Sequence, residues 1–171
     1  MRRILPLGAL VGVMATGAAA SAPQDLAALT AAAHRGDGRA EFSLGMKYHG
    51  GEGLPQDYGK AFCWVHRSAE HGNIMGWISL GMSYRMGQGV ARDDIESYKW
   101  FYLADRQYPP GAPEEFRRDA QEDLASVAKS MSADQIAAAK QRADDWLAAA
   151  LARGGSAIGP DPVDAPDCDR P

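Results

Sequence analysis

Cysteine is scarce in this chain of 171 residues, which has only Cys63 and Cys168. Two distant cysteines do not make the disulfide framework of a small secreted domain, and no Cys-x-x-Cys pair suggests a zinc site. We favour a buried Cys63 that packs as a small hydrophobic side chain and an exposed thiol at Cys168. A single disulfide between the two is the alternative in an oxidising compartment.

Basic residues are outnumbered by acidic ones, 18 against 22, which gives a formal net charge of −4. A nucleic-acid-binding protein needs a basic face, so the composition argues against a nucleic-acid partner. A modestly acidic surface is what keeps a small protein soluble.

A long apolar run occurs only at the N-terminus. Two arginines precede residues 4–20, which are almost wholly apolar, and Ala-Ser-Ala at residues 20–22 is a small-x-small site of the kind that signal peptidase cleaves. A membrane anchor is the alternative, but the run is marginal for crossing a bilayer and no cationic stop-transfer group follows it. We therefore predict a cleaved signal peptide over residues 1–22 and a periplasmic or secreted protein with no stable membrane anchor.

The strongest pattern is an internal repeat. Placing residues 33–68 over residues 69–104 gives 11 identical pairs over 36 positions, whereas unrelated segments of ordinary composition would give about two or three. A period of this length is typical of stacked helix pairs. The identical pairs include Ser43-Leu44-Gly45-Met46 with Ser79-Leu80-Gly81-Met82, Tyr48 with Tyr84, Gly51 with Gly87, Gly53 with Gly89, Asp57 with Asp93 and Trp64 with Trp100.

The repeated positions suit a helix–loop–helix unit. Asp37 and Asn73 can cap the first helix of each unit by accepting a bond from a free backbone N–H, and Asp57 and Asp93 can cap the second helix. The Gly-x-Gly loops end the first helix. A further glycine in the middle of each first helix, at positions 45 and 81, predicts that a partner helix approaches closely there.

Residues 40–64 and 76–100 resemble the Sel-one-like repeat, a relative of the tetratricopeptide repeat found in exported bacterial proteins. The family pattern is Ala, Leu-Gly, Tyr, a Gly-x-Gly-Val loop, Asp, Lys-Ala and Trp, and this chain departs from it mildly at Leu54, Gly76 and Glu96-Ser97. The resemblance implies an all-α fold, a short α/α right-handed superhelical solenoid of helix-turn-helix repeats. It also implies an adaptor that binds a protein or peptide on its concave face.

Beyond Ala104 the repeat spacing is lost. Pro113 begins a further helix, and Ser132 with Gln135 forms a capping box for another. These helices predict a hairpin that covers the open end of the stack. The expected division is a signal peptide at 1–22, an N-terminal capping helix at 23–36, Sel-one-like repeats at 37–72 and 73–108, a C-terminal helical cap at 109–154 and a disordered tail at 155–171.

Evidence for catalysis is weak. Ser126 and Lys129 match the S-x-x-K motif of penicillin-interacting enzymes, but the partner motifs S-D-N and K-T-G do not occur. A cell-wall or β-lactam hydrolase is the alternative function, because cysteine-rich relatives of the repeat have been linked to such activity. Those relatives pair cysteines within each repeat, whereas Cys63 corresponds to Lys99 here. We therefore expect a non-catalytic protein without a cofactor.

No metal site is expected either. The H-E-x-x-H spacing is absent, because His66 and His71 stand five residues apart and point to different sides of a helix. The acidic tail lacks the glycine and the closing glutamate of a calcium loop. We interpret the histidines as solvated side chains near helix ends: His34, His49, His66 and His71.

The remaining candidates lie on the first helix of each unit, away from the Leu44/Tyr48 stripe. In a solenoid these helices line the concave face, where a partner peptide usually binds. Flexible apolar side chains there also pack against the neighbouring repeat, so both interpretations stay open for Met46 and Met82, while packing is favoured for Trp77. The candidate partner-binding residues are Phe42, Met46, His49, Ile78, Met82 and Arg85.

Overall fold

The computed structural model describes residues 23–108, 114–152 and 168–169. Within this part of the chain there are seven α-helices and no strands, which confirms the all-α solenoid. The expected signal peptide, and the expected disordered tail apart from residues 168–169, lie outside the described residues. The helices are α1 (Pro23–His34), α2 (Gly38–Gly50), α3 (Tyr58–Glu70), α4 (Ile74–Met86), α5 (Asp94–Arg106), α6 (Glu114–Ala128) and α7 (Ala133–Ala152).

The polar pattern of the repeat sets where four of these helices begin. Asp37 and Asn73 accept hydrogen bonds from the free backbone N–H groups of α2 and α4, and Asp57 and Asp93 do the same for α3 and α5. Each such cap contributes about 1 kcal/mol to helix stability. The four expected caps are therefore confirmed.

Glycine allows the two helices of each unit to approach closely. A Cβ atom added at Gly45 would lie 2.8 Å from Cγ2 of Val65 on α3, and one added at Gly81 would lie 2.8 Å from the Phe101 ring on α5. The packing that this approach permits offsets the cost of a mid-helix glycine, about 1 kcal/mol relative to alanine. The expectation of a close partner helix is confirmed at both positions.

The repeat tryptophans join each unit to its neighbour. Trp64 and Trp100 are each 1% exposed, but they lie in different clusters of the core. Trp64 packs with Ala33 of α1, whereas Trp100 packs with Val65 of α3 and with Trp77, which is buried as expected. The hydrophobic core is thus continued from one unit to the next along the chain.

The last two helices cover the end of the second repeat. Phe101 on α5 packs with Val127 of α6 and Ala139 of α7. A reciprocal capping box starts α7, because the backbone N of Ser132 donates to Gln135 Oε1 at 2.8 Å and the backbone N of Gln135 donates to Ser132 Oγ at 3.2 Å. These contacts give the solenoid its C-terminal helical cap.

Cys63 and Cys168 form a disulfide across a sequence separation of 105 residues. The favoured interpretation of an exposed thiol at Cys168 is therefore wrong, because this side chain is 4% exposed and packs in the cluster of Trp64 and Leu44. The acidic, proline-rich composition around Cys168 suggested exposure, and the spacing of two cysteines does not indicate which surfaces meet in the fold.

Candidate interaction surface

One face of α2 and the equivalent face of α4 carry small and flexible side chains. The residues follow the i, i+3, i+4, i+7 spacing that places side chains on one side of a helix. Ser43 and Gly50 are exposed on α2, and Met86 is 57% exposed on α4. We call this face the α2/α4 strip; it consists of Ser43, Met46, Lys47 and Gly50 on α2 and Ser79, Met82, Ser83 and Met86 on α4.

The apolar candidate residues are half-buried, and three of them also pack inward. Met46 and Ile78 contact the cluster that contains Trp100, and Met82 contacts the cluster that contains Phe101. Phe42 is half-buried on α2. Met46, Ile78 and Met82 therefore help to hold neighbouring helices together, and all four side chains present only part of their surface to solvent.

The polar candidates are oriented by contacts with other elements. His49 is exposed, its ring centroid lies 5.2 Å from that of Tyr58, and its Nε2 atom lies 3.2 Å from Gln88 Oε1 in the loop of the second repeat. Arg85 donates to Asp123 Oδ1 at 3.0 Å and to Ser126 Oγ at 2.7 Å on α6. The Ser126 hydroxyl thus accepts a hydrogen bond that joins α4 to α6, which is a structural role.

A buried polar cluster in the first repeat was missed by the sequence analysis. Glu41 is fully buried, and it accepts hydrogen bonds from Arg67 Nε at 3.1 Å and from His71 Nδ1 at 2.6 Å. The repeat alignment held a signal for it, since Glu41 corresponds to Trp77 and Arg67 to Leu103. Charged residues at positions that are apolar in the other repeat indicate a buried ion pair.

Two histidines are not solvated, so that expectation is wrong for them. His71 is 7% exposed because it packs against Glu41. His66 is half-buried between the rings of Phe62 and Trp100, at centroid distances of 6.0 and 6.2 Å. The five-residue spacing of His66 and His71 argued against a shared metal site. It could not show that each imidazole ring is packed between helices.

Burial lowers the pKa of His66 below the ordinary value of an imidazole. The negative charge of Glu70 opposes this shift, while the positive charge of Lys99 adds to it. Desolvation dominates because the ring lies between two aromatic side chains. The neutral imidazole is therefore the form that suits this interface.

An open cleft of about 600 Å³ lies beside the buried cluster, between the turns at residues 36–39 and 71–74. Asn73 Nδ2 and Ser68 Oγ both donate to the carbonyl oxygen of Gly38, at 2.9 and 2.6 Å. These hydrogen bonds connect the start of α2 with the end of α3 and the start of α4. The polar groups beside the cleft therefore stabilise the packing of these helices.

Other kinds of site find no support in the described part of the chain. No group of three or more His, Cys, Asp or Glu side chains among residues 23–108, 114–152 and 168–169 could hold a metal ion. None of the described helices has both the length and the apolar character that a membrane span requires.

The family model of the Sel1 repeat matches the chain twice, over residues 38–73 and 78–104. The protein is a Sel1-like repeat protein. Both matches coincide with the paired helices described above, the first with α2 and α3 and the second with most of α4 and α5. Sel1 repeat proteins are generally protein-interaction scaffolds, so protein binding is the class of function that this fold supports.

Two solved structures are similar to this Sel1-like repeat protein. One is a protective antigen present in uropathogenic Escherichia coli strains that displays an SLR fold; it is 26% identical with a TM-score of 0.64, and the match covers 75% of this chain and 27% of the antigen. The other is a Sel1 repeat protein from Oxalobacter formigenes, 29% identical with a TM-score of 0.44, where the match covers 72% of this chain and 99% of that protein. No curated protein matches the chain.

Proposed function

We propose that this Sel1-like repeat protein is a non-catalytic adaptor of the bacterial cell envelope that binds a protein or peptide on the concave face of its solenoid. The observation that carries the proposal is the α2/α4 strip, which places small and flexible side chains at equivalent positions on the first helix of both repeats. First helices line the concave face of such solenoids, which is their usual binding surface.

The composition of the strip suits a peptide in close contact. Ser43, Gly50, Ser79 and Ser83 have small side chains, so a partner backbone can approach the helices. Met86 and the exposed parts of Met46 and Met82 supply flexible apolar surface that adapts to different side chains. Partner affinity would therefore come from many small contacts rather than from one deep pocket.

The remaining candidates frame this strip. Phe42 and Ile78 are half-buried and immediately precede Ser43 and Ser79 in the chain, and His49 and Arg85 lie near the C-terminal ends of α2 and α4. Because His49 is exposed and already oriented by Tyr58, its ring can contact a partner with little loss of conformational entropy.

Site-specific photo-crosslinking tests the location of the binding surface. A photoreactive residue replaces Ser43 or Ser79 on the strip, and the control places it at Ala137, an exposed helical position on α7. We expect the same partner adduct from both strip positions and none from position 137. Adducts of equal yield from all three positions, or from position 137 alone, would reject the strip.

The test uses Ser43, which is exposed, and Ser79, which is half-buried, because Met46 and Met82 also pack in the core. Replacing either methionine with aspartate would bury a charge, and a loss of binding would then report unfolding. Ser43→Arg and Ser79→Arg, with Ala137→Arg as the control, block the strip by bulk while circular dichroism checks the fold.

The envelope location rests on separate observations. The disulfide suits an oxidising compartment, and residues 1–22 have the pattern of a signal peptide. We expect the protein expressed in a Gram-negative host to be recovered from the periplasmic fraction with Pro23 as its first residue, as determined by N-terminal sequencing. Recovery of the uncleaved chain from the cytoplasm would contradict this location.

A further inference from the structure

Equivalent rows of side chains on α2 and α4 differ in chemical character. Both rows follow the i, i+4, i+8, i+11 spacing that keeps side chains on one side of a helix. Basic side chains occur only in the first row and thioethers only in the second. The rows share residues with the α2/α4 strip and begin one helical turn before it. We call them the α2 row, which consists of Arg39, Ser43, Lys47 and Gly50, and the α4 row, which consists of Met75, Ser79, Ser83 and Met86.

The two rows lie on helices that run side by side in the same direction. Asn73, which caps α4, donates from Nδ2 to the carbonyl oxygen of Gly38 at the start of α2, at 2.9 Å. At the other end of α2, His49 Nε2 lies 3.2 Å from Oε1 of Gln88, in the loop that follows α4. Because both the starts and the ends of the two helices are joined in this way, one bound segment can contact both rows.

The α2 row carries two positive charges that no described carboxylate pairs with. Arg39 is exposed and Lys47 is half-buried, and neither forms an ion pair with another residue in 23–108, 114–152 or 168–169. Glu41, the one acidic residue of α2, is fully buried, and α4 has no acidic residue. The basic side chains of the second repeat, by contrast, are each ion-paired: Arg85, Arg92, Lys99 and Arg106. A surplus of positive charge therefore remains on the α2 row.

The serines of the two rows use their hydroxyl hydrogens within their own helices. Ser43 Oγ donates to the carbonyl oxygen of Arg39 at 2.9 Å, and Ser83 Oγ donates to that of Ser79 at 2.8 Å. The α4 row offers apolar thioether surface as well, including that of Met86, which is 57% exposed. Charge thus selects the side of a bound segment that faces α2, and apolar contact selects the side that faces α4.

We infer that the two rows bind an acidic peptide segment in an extended conformation, with two carboxylates on the α2 row and apolar side chains on the α4 row. The inference rests on the proposed function, because it names the chemistry of the segment that the strip would bind. Arg39 and Lys47 are eight positions apart, which is about 12 Å along a helix. An extended chain spans that distance in about four residues, and its alternate side chains point to opposite sides. The expected segment therefore has an acidic residue at each end of five positions and apolar residues next to them.

Nuclear magnetic resonance titrations of the isotope-labelled full chain test the inference with three blocked peptides. Their sequences are Glu-Leu-Ser-Leu-Glu, Gln-Leu-Ser-Leu-Gln and Lys-Leu-Ser-Leu-Lys. We expect the Glu peptide to shift amide signals of both rows saturably and to bind about tenfold more tightly than the Gln peptide, the effect of two exposed ion pairs. The Lys peptide should bind more weakly than either. Raising NaCl from about 50 mM to about 500 mM should remove most of the difference between the Glu and Gln peptides, because salt screens exposed charges.

Matched double variants test which charges are responsible. Arg39→Met with Lys47→Ser gives the α2 row the residues of the α4 row at these positions, and we expect it to weaken binding of the Glu peptide by about tenfold. Binding of the Gln peptide should stay unchanged. Arg118→Met with Lys129→Ser removes the same net charge from exposed positions in the C-terminal helical cap, and should change either affinity by less than about twofold. The amide spectra also report whether each variant is folded.

Three results would overturn the inference. Equal affinities of the Glu and Gln peptides would show that the rows have no preference for acidic segments. An equal loss of affinity in the two double variants would show that the Glu peptide responds to net charge alone. Signals that shift only in other helices, or no saturable shift, would show that the rows do not bind such a segment. The crosslinks from positions 43 and 79 decide the proposed function separately, because they do not depend on the chemistry of the partner.

Discussion

The loop of the second repeat touches the start of α3 through Gly89. Gly89 has a φ of +73°, and a Cβ atom added there would lie 2.0 Å from the carbonyl oxygen of Tyr58. Its equivalent in the first repeat, Gly53, has a similar φ of +80° but no heavy atom within 4 Å of the added Cβ. A substitution at Gly53 therefore tests backbone strain alone, whereas one at Gly89 tests backbone strain together with a steric clash.

We expect Gly89→Ala to destabilise the protein by about 3 kcal/mol or more, because it adds a backbone clash to the strain of a left-handed conformation. Gly53→Ala, which adds only the strain, should cost about 1 kcal/mol. Urea unfolding of the two variants measures the difference. Equal losses would show that the loop does not press against α3.

The buried carboxylate of Glu41 gives a second comparison between single residues. We expect Glu41→Gln to lower the free energy of unfolding by about 3 kcal/mol, because a neutral amide cannot balance the charge of Arg67 in a buried site. The control is Glu52→Gln in an exposed loop, which should change stability by less than about 0.5 kcal/mol. Similar unfolding free energies for the two variants in urea would mean that the buried polar cluster makes no net contribution to stability.

One side chain of α7, Trp146, contacts both repeat units. Trp146 touches the rings of Trp77 and Trp100 and donates to Glu70. We expect Trp146→Ala to cost about 3 to 5 kcal/mol through the cavity it leaves, and Trp146→Phe to cost less because a ring remains. Leu151→Ala, at a position that is 53% exposed on the same helix, serves as the control. Hydrogen exchange in α7 should follow the same order, and an α7 that stays protected in Trp146→Ala would refute this role.

The interface between α3 and α5 is expected to weaken in acid. Since burial lowers the pKa of His66 in the folded protein, the unfolded chain binds the proton more readily, and stability is lost as the pH falls below the unfolded value of about 6.5. We expect His66→Gln to reduce the loss of unfolding free energy between about pH 7.5 and about pH 5. If the unfolding free energy of His66→Gln falls with pH as it does in the parent protein, His66 is not the cause of the acid destabilisation.

Most of the helices could be predicted from the sequence because their signals are local. The cap residue Asp93 and the capping box at Ser132 act within three positions of a helix start, and the 36-residue period shows which elements are equivalent. The contacts of Glu41 with Arg67 and of Arg85 with α6 join residues that the repeat does not relate. The packing of Met46 likewise depends on how two helices are arranged, so the sequence could not decide between packing and partner contact for this residue.

At the scale of the whole molecule, the C-terminal helices are required to close the core. Without α6 and α7, the buried side chains of Tyr98, Trp100 and Phe101 would face solvent. We expect a chain that ends at residue 108 to self-associate, as measured by light scattering after size-exclusion chromatography. A chain that ends at residue 152 lacks only the residues beyond α7, including Cys168, and should remain in the assembly state of the full protein. Identical behaviour of the two truncated chains would contradict this role of the cap.

The disulfide also gives the polypeptide a closed covalent topology. Residues 63 to 168 form one macrocycle, with the N-terminal helices attached to it as a branch. A protease that cuts a single peptide bond within the macrocycle would open the ring but release no fragment. Such a nicked protein would migrate as one species on a denaturing gel and separate into two pieces only after reduction.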